Sequence, residues 1–144
     1  MTYRTQELQF QLPHAGLQDA TINILKFAEL GTSLVISRSP LAEGETLQSS
    51  FEAQLARMQQ QLTDMRFQPA QALQVGPASD VPAFELRSQF SKGAENVFQY
   101  QLILMVPGTR QMLALSYVKP QPLGDAEAAH WALIKQTLVI NPPA

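Results

Sequence analysis

The 144-residue chain contains no cysteine, which excludes disulfides and thiolate metal ligands and fits a reducing compartment. Histidine is nearly as scarce: only His14, expected in a turn, and His130, expected on a helix, occur. Neither has an acidic cluster beside it, so no transition-metal site is expected. The 7 glycines form no G-x-G-x-x-G and no G-x-x-x-x-G-K phosphate loop, and no G-x-S-x-G nucleophile turn is present. Glu43 and Glu45 read as a solvated loop, and Asp125 with Glu127 as favourable charge at a helix start, not as an acid/base pair. The 10 basic residues are scattered against 12 acidic ones, for a net charge of -2, so no basic stripe invites nucleic acid. The longest apolar run, residues 102–106, stops at Pro107 and Gly108, far short of the roughly 18 residues that span a bilayer. The N-terminal MTYRTQELQFQLP has no apolar core of a secretory signal. These absences lead us to expect a cytoplasmic, non-enzymatic protein without cofactor or stable membrane insertion.

What is present is apolar alternation. An apolar fraction of 45% over this length fits a single domain spanning residues 1–144. Residues 7–12 alternate Leu8, Phe10 and Leu12 with Glu7, Gln9 and Gln11, the pattern of a strand with one buried face. Residues 21–38 read as two short strands broken by Glu29, Gly31 and Thr32. The first of these is apolar on both sides: Ile22 and Ile24 point one way, Leu25 and Phe27 the other. Further strands are expected at 72–75, 83–90, 97–106 and 111–118, the last three forming an antiparallel meander.

Two helices complete the pattern. The first carries Phe51, Leu55, Met58 and Leu62 as an apolar stripe, with Ser49 and Glu52 in capping-box spacing and Gln59, Gln60 and Gln61 on a solvated face. In the second, Asp125 is the expected cap, and Trp131, Ile134 and Leu138 share a face. The sum is an α+β fold in which both helices cover one face of a twisted antiparallel sheet.

The opposite side of such a sheet would mix apolar residues with uncharged amides and hydroxyls. Ile22, Ile24, Ser37, Gln99, Gln101, Ile103 and Met112 or Ser116 fall there, with Gln54 at the rim. Such a surface suits an apolar partner that still has hydrogen bonds to satisfy, a hydrophobic helix outside a bilayer being one. A homodimer seam, or an inner core layer under another strand, fits the same pattern.

Thr21 to Ile24 (TINI), LVISR at 34–38, QQQL at 59–62, YQLIL at 100–104 and WALIKQTL at 131–138 together resemble the DcrB-like family. More narrowly, they resemble the Eag-type chaperones of type VI secretion effectors in Gram-negative bacteria. The resemblance implies a PsbP/Mog-type α/β/α sandwich, a homodimer, and a concave sheet face that binds the N-terminal transmembrane helices of a secretion effector before export. Carried over by position, the effector-helix groove would comprise Ile22, Ile24, Ser37, Gln101 and, on the helix, Gln54. Lipoproteins of this family carry a signal peptide and a lipid-attachment cysteine; this chain has neither, which favours the cytoplasmic chaperone branch. The alternatives are a non-enzymatic adaptor on the same fold that binds a folded protein, and a small-molecule or lipid-binding domain, which would need a deep pocket near His130.

Overall fold

A computed structural model describes residues 2–13 and 18–141; His14 and the closing prolines lie outside the described residues. Strands β1 (Thr2–Arg4) and β2 (Gln9–Gln11) form a small antiparallel hairpin of their own. The remaining strands, β3 (Asn23–Phe27), β4 (Thr32–Pro40), β5 (Thr63–Phe67), β6 (Gln71–Val75), β7 (Val81–Lys92), β8 (Glu95–Met105) and β9 (Gln111–Lys119), make a seven-stranded sheet. Its order is β3-β4-β9-β8-β7-β5, with β6 also paired to β7, and every pairing is antiparallel. The expected meander is therefore β7-β8-β9, and the two strands of residues 21–38 are the β3-β4 hairpin at one sheet edge.

The helices α1 (Leu47–Gln61) and α2 (Asp125–Thr137) lie on opposite faces, not on the same one as the periodicity suggested. On β8 the alternation of a strand decides this. Tyr100, Leu102 and Leu104 cluster with Trp131, Leu115 and Tyr117 and with Ile134 of α2, while Ile103 clusters with Leu86 and with Phe51, Leu47 and Leu55 of α1. Both sides of β8 are apolar, so each requires its own cover.

The α2 side is the larger core. Trp131 is 1% exposed and stacks against Tyr100 and Tyr117, with ring centroids 6.0 and 5.8 Å away. The connection from β6 is held close: Gly76 donates its N–H to the Lys135 carbonyl at 2.8 Å. Its φ is +92°, and a Cβ there would sit 2.9 Å from the Leu138 carbonyl oxygen, so glycine is required at this crossing.

Four local expectations need correction. The 7–12 strand has no buried face, since Leu8 and Phe10 are 54% and 46% exposed; Phe10 instead faces Tyr3 across the hairpin at 5.3 Å between centroids. The α1 capping box is Thr46 with Ser49, not Ser49 with Glu52: each side chain accepts the other's backbone N–H, at 3.0 and 2.9 Å. On α2 the N-cap is Gly124, without a side-chain cap bond, and Asp125 is the first helical residue. Strand β5 was not expected, because TDMRF has no clean alternation and its pairing with β7 contains a register shift between Thr63 and Arg66. Gln59, Gln60 and Gln61 are exposed, as expected of a solvated helix face.

Candidate functional site

Strand register places the groove residues on the α1 side of the sheet. One row runs Ile24, Val35, Ser116, Gln101, Leu86, and the next runs Ser37, Ala114, Ile103, Phe84. A third contains Lys26, Ser33, Val118, Gln99 and Ser88. Helix α1 seats Leu47, Phe51 and Leu55 over Phe84, Leu86, Ile103 and Ala114, a cluster drawn from β7, β8 and β9 that includes no residue of β3 or β4. Ala114 is small, and that lets the helix approach the sheet closely.

The first row therefore grades from open to closed. Ile24 is 59% exposed, Val35, Ser116 and Gln101 are half-buried, and Leu86 is 1% exposed. Ile22, just before β3, is also 59% exposed. Ser37 is half-buried on the floor, and Gln54 is half-buried on α1. These residues mark the stretch of the α1 face between α1 and the edge strand β3, with β4 and β9 beneath, here called the trough.

Three residues expected on the open side are closed. Ile103 is 0% exposed beneath α1, Gln99 is 8% exposed and Met112 is 3% exposed. The reason for Ile103 is the placement of α1: an apolar residue at the centre of the sheet is the anchor on which that helix sits. Conversely, Leu25, expected to face a helix with Phe27, is 47% exposed, because α2 reaches Phe27 but not the outer part of the edge strand.

Sequence reasoning missed two contributors. Val35 lies between Ile24 and Ser116 and supplies the apolar centre of the floor. Arg38 reaches back to the segment carrying Ile22, its Nη1 donating to the Thr21 carbonyl at 2.9 Å and to Asn23 Oδ1 at 2.8 Å. Both lie within the LVISR stretch, where alternation put Val35 on the Ser37 face.

The α2 side carries two buried carboxylates, each held by basic side chains. Glu85, 6% exposed, accepts from Lys135 Nζ at 2.5 Å and from Arg87 Nε at 3.0 Å. Burial opposes ionisation of Glu85, but the hydrogen bonds from Lys135 and Arg87 outweigh it and hold its pKa below the usual carboxylate value. Lys119 Nζ binds Glu127 at 2.5 Å and lowers that carboxyl's pKa in the same way. Tyr117 bonds His130 Nδ1 at 2.8 Å and accepts from Thr32 at 3.2 Å; burial, more than any neighbour, raises its pKa. A cavity of about 330 Å³ beside His130 is lined by Phe27, Ala28, Glu29 and Leu30. Among the described residues no group of three or more His, Cys, Asp or Glu could hold a metal ion, and no helix is long and apolar enough to cross a membrane.

The DcrB family model matches residues 7–137, nearly the whole chain and both helices. The chain belongs to the DcrB family. Among solved structures this DcrB-family chain is similar to PA94 from Pseudomonas aeruginosa, a protein of unknown function suggested to be a regulator. The TM-score is 0.75 at 22% identity, with 99% of this chain and 98% of that one covered, so the likeness is one of fold. No curated protein matches this DcrB-family chain in sequence.

Proposed function

We propose that this DcrB-family chain is a cytoplasmic chaperone of the Eag type, which shields the N-terminal transmembrane helices of a type VI secretion effector and holds the effector ready for loading. The observation that carries the reading is the graded row from Ile24 to Leu86, apolar at both ends with Ser116 and Gln101 between them. A transmembrane helix in water needs apolar cover for its side chains and donors for any carbonyl exposed by small residues; Ile22, Ile24 and Val35 offer the first, Ser37, Gln54 and Gln101 the second. Each aliphatic side chain fully covered contributes about 1.5–3 kcal/mol, so a few contacts along the trough hold a helix without nucleotide. A homodimer would present two troughs, one for each of a pair of helices.

Ile24→Asp places a charge at the open end of the row while leaving the core untouched. Co-expressed with an effector bearing N-terminal hydrophobic helices, the variant is expected to lose co-purification while keeping its unfolding midpoint. Recovery of the effector at wild-type yield would rule the trough out as the binding surface. The adaptor reading is separated by an isolated transmembrane peptide in mild detergent: binding of the peptide alone is expected of a helix chaperone and not of an adaptor for a folded partner.

A further inference from the structure

A cavity lies away from the trough, at the uncovered end of the α2 face. It measures about 580 Å³, within the range of ligand sites, and its lining includes Arg66, Phe67, Arg87, Gln89, Phe98 and Leu123. None of the residues lining it is acidic. Register explains the assembly: Arg66, Gln89 and Phe98 form one row across β5, β7 and β8, and Arg87 pairs with Tyr100 in the next. The chain beyond β5 continues the pairing, with Gln68 donating its N–H to the Arg87 carbonyl at 3.1 Å.

Arg87 is held in place from behind. Its Nε donates to Glu85, and its guanidinium lies 4.8 Å above the Tyr100 ring. Glu85 is in turn fixed by Lys135. These contacts use one edge and one face of the guanidinium. The terminal Nη groups have no bond among the described residues, and the side chain is 47% exposed. Arg66 is exposed and has no partner among the described residues. With Arg66 and Arg87 in its lining and no acidic residue there, the cavity is cationic in a chain whose net charge is -2.

We propose that this cavity is a second binding site, which takes an acidic peptide segment of a partner protein by pairing a carboxylate with Arg66 and Arg87 and seating a neighbouring apolar side chain against Phe98 and Leu123. A guanidinium oriented through Nε presents its two Nη groups as a fork matched to a carboxylate. The cavity is wide and open, so a small anion would stay largely hydrated. A peptide gains from the charges and also from the apolar wall, where Phe98 and Leu123 are half-buried. The site is across the sheet from the trough, so both can be filled at once, and the proposal stands apart from the chaperone reading.

The test is a ¹H–¹⁵N NMR titration of the full chain with a blocked peptide alternating glutamate and phenylalanine, against the same peptide with glutamine for glutamate, inorganic phosphate, and an oligothymidine. The acidic peptide should shift the amides of Arg66, Arg87, Gln89 and Phe98, and added salt should weaken it. Arg66→Gln and Arg87→Gln should each weaken binding about tenfold. Arg87→Lys should also weaken it, by removing the fork while keeping the charge. Because Arg87→Gln disturbs Glu85, Arg66→Gln serves as the variant that leaves that network intact. Equal binding of the glutamine peptide, wild-type affinity in both glutamine variants, the same shifts from phosphate at equal concentration, or tighter binding of the oligothymidine would each overturn the proposal.

Discussion

The two faces of the sheet are drawn from the same strands and differ in how they end. On the α2 face six of the seven sheet strands, all but β5, deliver aromatic or aliphatic residues to one continuous core around Trp131, and Glu85 and Glu127 at its margin are paired with Lys135 and Lys119. On the α1 face the helix closes over Ile103 and Leu86 and stops, leaving Ile22 and Ile24 exposed and a band of half-buried hydroxyls and amides between. A face that is closed stabilises the protein itself. One that is closed only halfway leaves part of its apolar surface for another molecule.

That contrast makes its strongest claim on stability. Trp131→Ala opens a cavity in the closed core and should cost about 3–5 kcal/mol in urea unfolding, whereas Ile24→Asp should cost less than about 0.5 kcal/mol. Comparable losses would mean that the trough is ordinary core and that the division between the faces is false.

The next effect lies in the ion pairs of the closed face. Glu85 has a folded-state pKa below its ordinary value of 4.5, so it binds its proton more readily when the chain is unfolded. Its contribution is complete above about pH 4.5 and is lost as pH falls through the depressed folded-state value. Glu85→Gln should cost about 2 kcal/mol at neutral pH and flatten the acid limb of the stability curve, read by chemical denaturation at a series of pH values. An acid limb unchanged in this variant would show that the Lys135 and Arg87 bonds are not what depresses the pKa.

The smallest effect tests the polar part of the α1 face. Ser88 Oγ is buried with no hydrogen-bond partner among the described residues, although Gln99 stands beside it in the same row. Ser88→Ala should therefore leave stability unchanged or raise it by up to about 1 kcal/mol, measured by thermal unfolding. A loss of that size would mean that Ser88 bonds within the folded chain after all.

Much of this arrangement was legible in the chain. The hairpin of β3 and β4, the meander and both amphipathic helices followed from periods of two and of 3.6, because a strand or helix with one buried stripe must place its apolar residues at that spacing. The sidedness of Ile24 and Ser37 followed from the same rule. Less was legible where pattern and burial part company. Leu8 and Phe10 alternate as a buried strand would, yet their hairpin packs on itself. TDMRF lacks alternation and still joins the sheet, because β7 offers it a free edge.

By itself, then, the sequence determined both helices and the main strands, most of the residues sharing a face, and the absence of cysteine chemistry, since these depend on composition and on separations of a few residues. Only the tertiary structure decided that α1 and α2 sit on opposite sides, that Ile103 is an anchor while Ile24 is exposed, and that Arg66 and Arg87 meet in one cavity. Those outcomes depend on which strands become neighbours and how far a helix reaches across them, and both are properties of long-range pairing that no local period encodes.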